Sequence, residues 1–131
     1  GGCIEALEFI KGTGIWPEAD EWNDTILFLE TSEDMPEPTF VRWWLRNYAS
    51  QGILQRVNAI IFGRPYNDKY AAEYDTEILR VLNEEGLTGL PVVTGMDFGH
   101  TSPVFTIPIG AMAEINGPNQ TFSILEAGVV A

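Results

Sequence analysis

The sole histidine of the chain lies in Asp97-Phe98-Gly99-His100-Thr101-Ser102-Pro103. Imidazole has the side-chain pKa closest to neutrality, which makes it the usual proton carrier in hydrolytic catalysis. Gly99 permits an unusual backbone angle or a close approach by a ligand, and Pro103 ends the segment by fixing its own torsion. A lone histidine is more often structural than catalytic, so a second group is needed. Glu30 is the candidate, at the end of the apolar run Thr25-Ile26-Leu27-Phe28-Leu29-Glu30. A carboxylate that accepts the ring N–H of a histidine fixes its tautomer and stabilises the imidazolium. Glu30 and His100 thus read as orienter and base; the alternative is that Glu30 merely leaves its strand and meets solvent. Glu33, in Thr31-Ser32-Glu33-Asp34, is a rival carboxylate set in a turn, where its reach is less constrained.

A base needs a nucleophile, and none stands out. Ser102 is two residues from His100, and neighbours so close rarely align as nucleophile and base. Ser32, Ser50 and Ser123 lack a glycine-flanked context. Cys3 opens a helical pattern, where the dipole could lower its pKa, but a buried structural thiol is the plainer reading. One histidine and scattered carboxylates give no metal-ligand spacing, so neither a metal nor a cofactor is expected. A single cysteine excludes an internal disulfide and fits a reducing compartment.

These side chains are carried by 131 residues of which 45% are apolar, enough for one domain with a true core. Seven basic residues against nineteen acidic ones give a net charge of −12. That balance repels phosphate backbones and anionic membranes, so neither nucleic acid nor a membrane is an expected partner. Eight carboxylates and no basic side chain separate Lys11 from Arg42, a run that reads for the most part as a solvated face. No stretch has the length of a membrane span or the shape of a signal peptide. Gly1-Gly2, without an initiator methionine, leads straight into an apolar pattern. This suggests a chain cut from something longer, although a cloning scar would leave the same glycines.

Helical spacing of Ile4, Leu7 and Ile10 predicts a first helix from Cys3 to Ile10. A loop from Gly14 to Asp24 carries Trp16 and Trp22, which could line a substrate cleft or an inter-domain surface. Thr25–Glu30 and Val57–Phe62 read as strands buried on both faces, and Leu90–Thr94 as a third. Between them, a helix capped by Thr39 runs to Ala49 or Gln51, with Val41, Trp44, Leu45 and Tyr48 inward and Trp43 off that face. A second opens at Asn67 or Asp68, with Ala71, Tyr74, Ile78 and Leu82 inward. Val104–Ile109, Ala111–Ile115 and Thr121–Leu125 read as three further strands, the last two joined by the turn Asn116-Gly117-Pro118-Asn119. The pattern predicts a single α/β domain over residues 1–131: a mixed sheet flanked by helices, with a C-terminal β-meander.

Several of these segments resemble the C-terminal domain of the LD-carboxypeptidase family of serine peptidases, which includes murein tetrapeptide carboxypeptidases and microcin C self-immunity peptidases. They are Gly1-Gly2-Cys3-Ile4-Glu5, Lys11-Gly12-Thr13, Ile26-Leu27-Phe28-Leu29-Glu30, Ile60-Ile61-Phe62-Gly63-Arg64-Pro65, Phe98-Gly99-His100-Thr101-Ser102-Pro103 and Ile107-Pro108-Ile109-Gly110-Ala111. The resemblance implies a Ser-Glu-His catalytic unit in which Glu30 and His100 match the glutamate and histidine. The serine would belong to an N-terminal domain absent from this chain, so the isolated chain would be inactive. It further implies a cytoplasmic, commonly dimeric hydrolase that needs no cofactor and cleaves an amide in a murein-type peptide or a peptidyl- or aminoacyl-nucleotide. Murein-type members commonly carry asparagine where Cys3 stands, which draws this chain nearer the microcin-type branch. The competing reading is a non-catalytic binding or assembly module, in which Glu30 and His100 are ordinary surface groups.

Overall fold

The computed structural model describes residues 1–129. Four parallel strands lie side by side in chain order: β1 (Gly2–Cys3), β2 (Ile26–Glu30), β3 (Ala59–Gly63) and β4 (Val92–Met96). Helices α1 (Ile4–Glu8), α2 (Pro38–Ser50) and α3 (Ala71–Glu84) cross between them. Contacts of α1 with α2 and of α2 with α3 put all three on one face, as crossovers of a single hand between successive strands require. Leu27, Leu29, Ile60 and Phe62 from the sheet meet Val41, Leu45 and Tyr48 of α2 and Tyr74, Ile78, Val81 and Leu82 of α3 in one core. Arg42 and Arg46 of α2 hold Glu77 and Glu84 of α3 at 3.2 and 2.8 Å along the outside of that pair.

The elements depart from the sequence reading at their ends. The first helix is shorter than expected because Gly2 and Cys3 pair as a strand with Leu29 and Glu30. Helix α2 begins at Pro38 rather than after Thr39, since a proline costs a helix nothing in its first turn. Helix α3 begins at Ala71 instead of Asn67 or Asp68. Those two residues and Tyr70 take left-handed angles, which Asn and Asp tolerate better than other side chains, and they form a tight turn ahead of the helix.

The α/β architecture, with a helix-flanked sheet and an antiparallel C-terminal unit, is the expected one, but its strands divide between two sheets. Among the described residues, β5 (Ala113–Asn116) and β6 (Thr121–Ile124) pair only with each other. Val104–Ile109 forms no strand; Pro103 and Pro108 remove backbone donors from that stretch. The hairpin and the 107–112 segment face the side of the sheet that carries no helix. A cavity of about 580 Å³ lies there, lined by Phe28, Ile61, Ile107, Met112, Phe122 and Ile124 among others. Ile26 and Phe28 are consequently only half-buried, so β2 is covered fully on one face and loosely on the other.

The loop tryptophans pack into the core, and Trp22 also lines the cavity. Trp22 is buried, and Trp16 packs on it and on Tyr48, with ring centroids 5.3 and 5.8 Å apart. The Trp16 indole N–H also donates to Gln51 at the end of α2. Trp43 is exposed, edge-on to Phe40. Among the described residues no helix is long and apolar enough to cross a membrane.

Candidate active site

Glu30 is the last residue of β2, and parallel pairing sets it beside Cys3 of β1 and one residue beyond the register of Phe62 in β3. Its side chain is buried because two glycines let the backbone close over it. A Cβ on Gly63 would stand 2.8 Å from the Glu30 Cβ and 2.7 Å from the Phe98 carbonyl oxygen. A Cβ on Gly99 would stand 2.5 Å from the Glu30 Cγ and Oε2, and Gly99 has φ +85°. The glycine before the histidine therefore does both things its type allowed, and what approaches it is Glu30 rather than a ligand.

The segment carrying His100 is pinned at both ends. The Arg64 backbone N–H donates to the Met96 carbonyl, its Nε to Asp97 at 2.9 Å, and its guanidinium to the Ser102 carbonyl at 3.0 Å. The Phe105 N–H donates to the Asp97 carbonyl. Phe98 is buried, edge-on to Phe28 and to Phe105. Sequence reasoning missed Arg64, although an arginine directly after a buried strand and before a proline was a usable signal.

His100 meets Glu30 twice. Its backbone N–H donates to Glu30 Oε2 at 3.0 Å, and its Nδ1 lies 2.8 Å from the same oxygen. Donation from Nδ1–H fixes the tautomer and leaves Nε2 as the basic edge. Nε2 in turn lies 3.3 Å from Glu33 Oε2. The two rival carboxylates thus take opposite nitrogens of one ring. The neighbour of Glu33, Ser32, is tied to Glu5, which accepts from the Ser32 backbone N–H and, at 2.6 Å, from the Ser32 hydroxyl. The hydrogen bond to Glu30 raises the His100 pKa above its ordinary value; partial burial opposes this, and the charges of Glu30, Glu33 and Glu5 reinforce it. The imidazole side chain is 43% exposed, against 8% for Glu30, so a buried anion holds a ring whose far edge faces solvent. Neither residue lines the large cavity.

Cys3 is not the activated thiol that a helix start could produce. Burial, with Glu5 and Glu30 close by, pushes its pKa up to about 11 against the opposing pull of a backbone hydrogen bond from Ala6. One donor atom from each of Cys3, Glu30 and His100 lies within 4.8 Å of the other two. This cluster is invisible as spacing along the chain, since strand pairing and the glycine-bearing loop assemble it.

Residues 1–115 match the LD-carboxypeptidase C-terminal domain. The chain is 29% identical over 126 residues to the putative carboxypeptidase YocD of Bacillus subtilis, covering 95% of this chain and 37% of that protein. It is 32% identical over 143 residues to the microcin C7 self-immunity protein MccF of Escherichia coli, covering 96% and 36%. The crystal structure of an MccF-like protein from Streptococcus pneumoniae in complex with AMP superposes with a TM-score of 0.84 at 25% identity, covering 95% of this chain and 39% of that one. The chain spans little more than a third of the length of these relatives. On the family match over most of its length, it belongs to the LD-carboxypeptidase family, in the part that forms the family's C-terminal domain.

Proposed function

We propose that this chain contributes Glu30 and His100 to a Ser-Glu-His unit that hydrolyses amides, the serine coming from an N-terminal domain. The observation that carries this reading is the double hydrogen bond from His100 to a single oxygen of buried Glu30. It keeps Nδ1–H on Glu30, so that Nε2, once free of Glu33, is the basic edge a general base requires. Ordinary surface groups of an assembly module have no reason to be buried, glycine-matched and bonded in this way.

In the mechanism, Nε2 accepts the proton of the serine hydroxyl as its oxygen attacks the amide carbonyl. Glu30 stabilises the resulting imidazolium, and Nε2–H then protonates the leaving amine. Water repeats the sequence to free the acyl group. Glu33 must release Nε2 for the hydroxyl to reach it. Alone, the chain is expected to be inactive, and the whole enzyme cytoplasmic and dimeric.

The substrate class is an amide in a murein-type peptide or in a peptidyl- or aminoacyl-nucleotide. Cys3, in place of the asparagine common to murein-type members, favours the second, as does similarity to MccF and to a relative solved with AMP.

The test uses the full-length protein with a murein tetrapeptide and a peptidyl-adenylate. His100→Ala and Glu30→Gln should each lower kcat by about 10⁴-fold with the fold intact. Full turnover by His100→Ala, or amide hydrolysis by the isolated chain, would overturn the proposal.

A further inference from the structure

Cys3, Glu30 and His100 present three different ligand atoms, a sulfur, an oxygen and a nitrogen, at one point where β1, β2 and the 97–105 loop meet. Tetrahedral zinc with such donors separates them by about 3.3–3.6 Å. The present separations are at most 4.8 Å, so closing to that geometry takes movements of about 1 Å. The mixed sulfur, nitrogen and carboxylate set suits borderline-soft Zn²⁺ rather than Mg²⁺ or Ca²⁺.

A second observation points the same way. Metal-bound histidines nearly always donate their other ring N–H to a carboxylate or carbonyl, which orients the ring. If His100 binds through Nδ1, the atom now facing Glu30, then Nε2–H points at Glu33 Oε2, 3.3 Å away. The turn that carries Glu33 is tied to α1 by the hydrogen bonds of its neighbour Ser32 to Glu5. The orienting carboxylate is already in place.

We propose that Cys3, Glu30 and Nδ1 of His100 form a zinc site, with a water as fourth ligand, and that zinc bound there is an inhibitor rather than a cofactor. The reason lies in the ring. Zinc on Nδ1 takes the lone pair of that nitrogen and displaces its hydrogen bond to Glu30. The ring proton then resides on Nε2, which can no longer accept a proton from a hydroxyl. The inhibitory consequence rests on the hydrolase reading above; the binding itself does not.

Zinc uptake releases protons. The Cys3 thiol proton leaves to solvent, and the Nδ1 proton either moves to Nε2 of a neutral ring or leaves from an imidazolium. Affinity therefore falls as pH falls. The groups facing the cluster are Glu5 from α1, Glu30 from β2 and Glu33 from the turn after it, all carboxylates that favour a cation.

The experiment titrates the purified chain with Co²⁺, a spectroscopic substitute for Zn²⁺, at mildly alkaline pH. A thiolate-to-cobalt charge-transfer band and intense visible bands of a four-coordinate ion should saturate at a one-to-one ratio and vanish when Zn²⁺ is added. Cys3→Ser should lose the charge-transfer band, and His100→Gln the four-coordinate visible spectrum, each with unchanged circular dichroism. Should a variant fail to fold, ¹⁵N spectra of the wild-type imidazole decide: zinc should shift Nδ1 and leave Nε2 protonated. Absence of the band from the wild-type chain, its persistence in Cys3→Ser, or a zinc shift at Nε2 instead of Nδ1 would each overturn the site. Amide hydrolysis enters none of these measurements, so loss of the hydrolase reading and loss of the zinc site are separate results.

Discussion

Replacing Gly99 by alanine tests the packing that brings Glu30 to His100. At φ +85° an alanine carries a left-handed backbone penalty of about 1–2 kcal/mol. Its Cβ would also lie 2.5–2.6 Å from three atoms of the Glu30 side chain, which is buried and cannot swing into solvent without unmaking the site. Forcing such an overlap typically adds about 1–3 kcal/mol, so the total is about 2–5 kcal/mol. Gly86 is the control: its φ is +71° and no described residue lies within 4 Å of a Cβ built there, so Gly86→Ala carries only the backbone term. Urea unfolding, followed by tryptophan fluorescence, to which core Trp22 contributes, gives both values at one pH. The same variants are then titrated by NMR, where the only imidazole in the chain needs no assignment. Displaced Glu30 removes the main cause of the raised His100 pKa, so Gly99→Ala should titrate lower than wild type and Gly86→Ala should not. Equal destabilisation by the two substitutions, with an unmoved histidine titration, would refute the close-approach argument.

Three further outcomes are expected. Because the folded His100 pKa is raised, its ion pair with Glu30 stabilises the fold fully below the unfolded value of about 6.5 and is lost as pH rises through the folded value. The urea midpoint of wild type relative to His100→Gln should therefore shrink across that window, and Glu30→Gln should lower the His100 pKa more than Glu33→Gln does. Arg64→Ala should speed amide exchange at Phe105 and His100, since it removes the ties to Asp97 and the Ser102 carbonyl; unchanged exchange would show that Phe98 packing alone holds the loop. Tyr48→Phe should leave stability within about 0.5 kcal/mol of wild type or raise it, because the buried Tyr48 hydroxyl has no hydrogen-bond partner among the described residues. A loss above about 1.5 kcal/mol in thermal or urea unfolding would mean that the hydroxyl is bonded after all.

The alternation of strand and helix, the inward stripes Val41-Leu45-Tyr48 and Tyr74-Ile78-Leu82, and the pairing of β5 with β6 were legible because each depends on local periodicity and turn chemistry. Glu30 and His100 could be singled out by residue type and by position at strand ends. Position at a strand end favoured Glu30 over Glu33 as the partner of His100, but that both would meet the ring was not legible. Glu30 and Glu33 are three residues apart, and only the register of β2 in the sheet and the missing Cβ atoms of Gly63 and Gly99 send one to Nδ1 and the other to Nε2. The core packing of the tryptophan loop was not legible for a related reason: an acidic stretch looks solvated, while Trp16 and Trp22 within it turn inward against Tyr48. Local sequence determined what each segment could become and which groups could move a proton. The contact between the buried anion and its imidazole, and the thiol brought beside them, came only with tertiary structure, because burial and close approach belong to pairs of segments far apart in the chain.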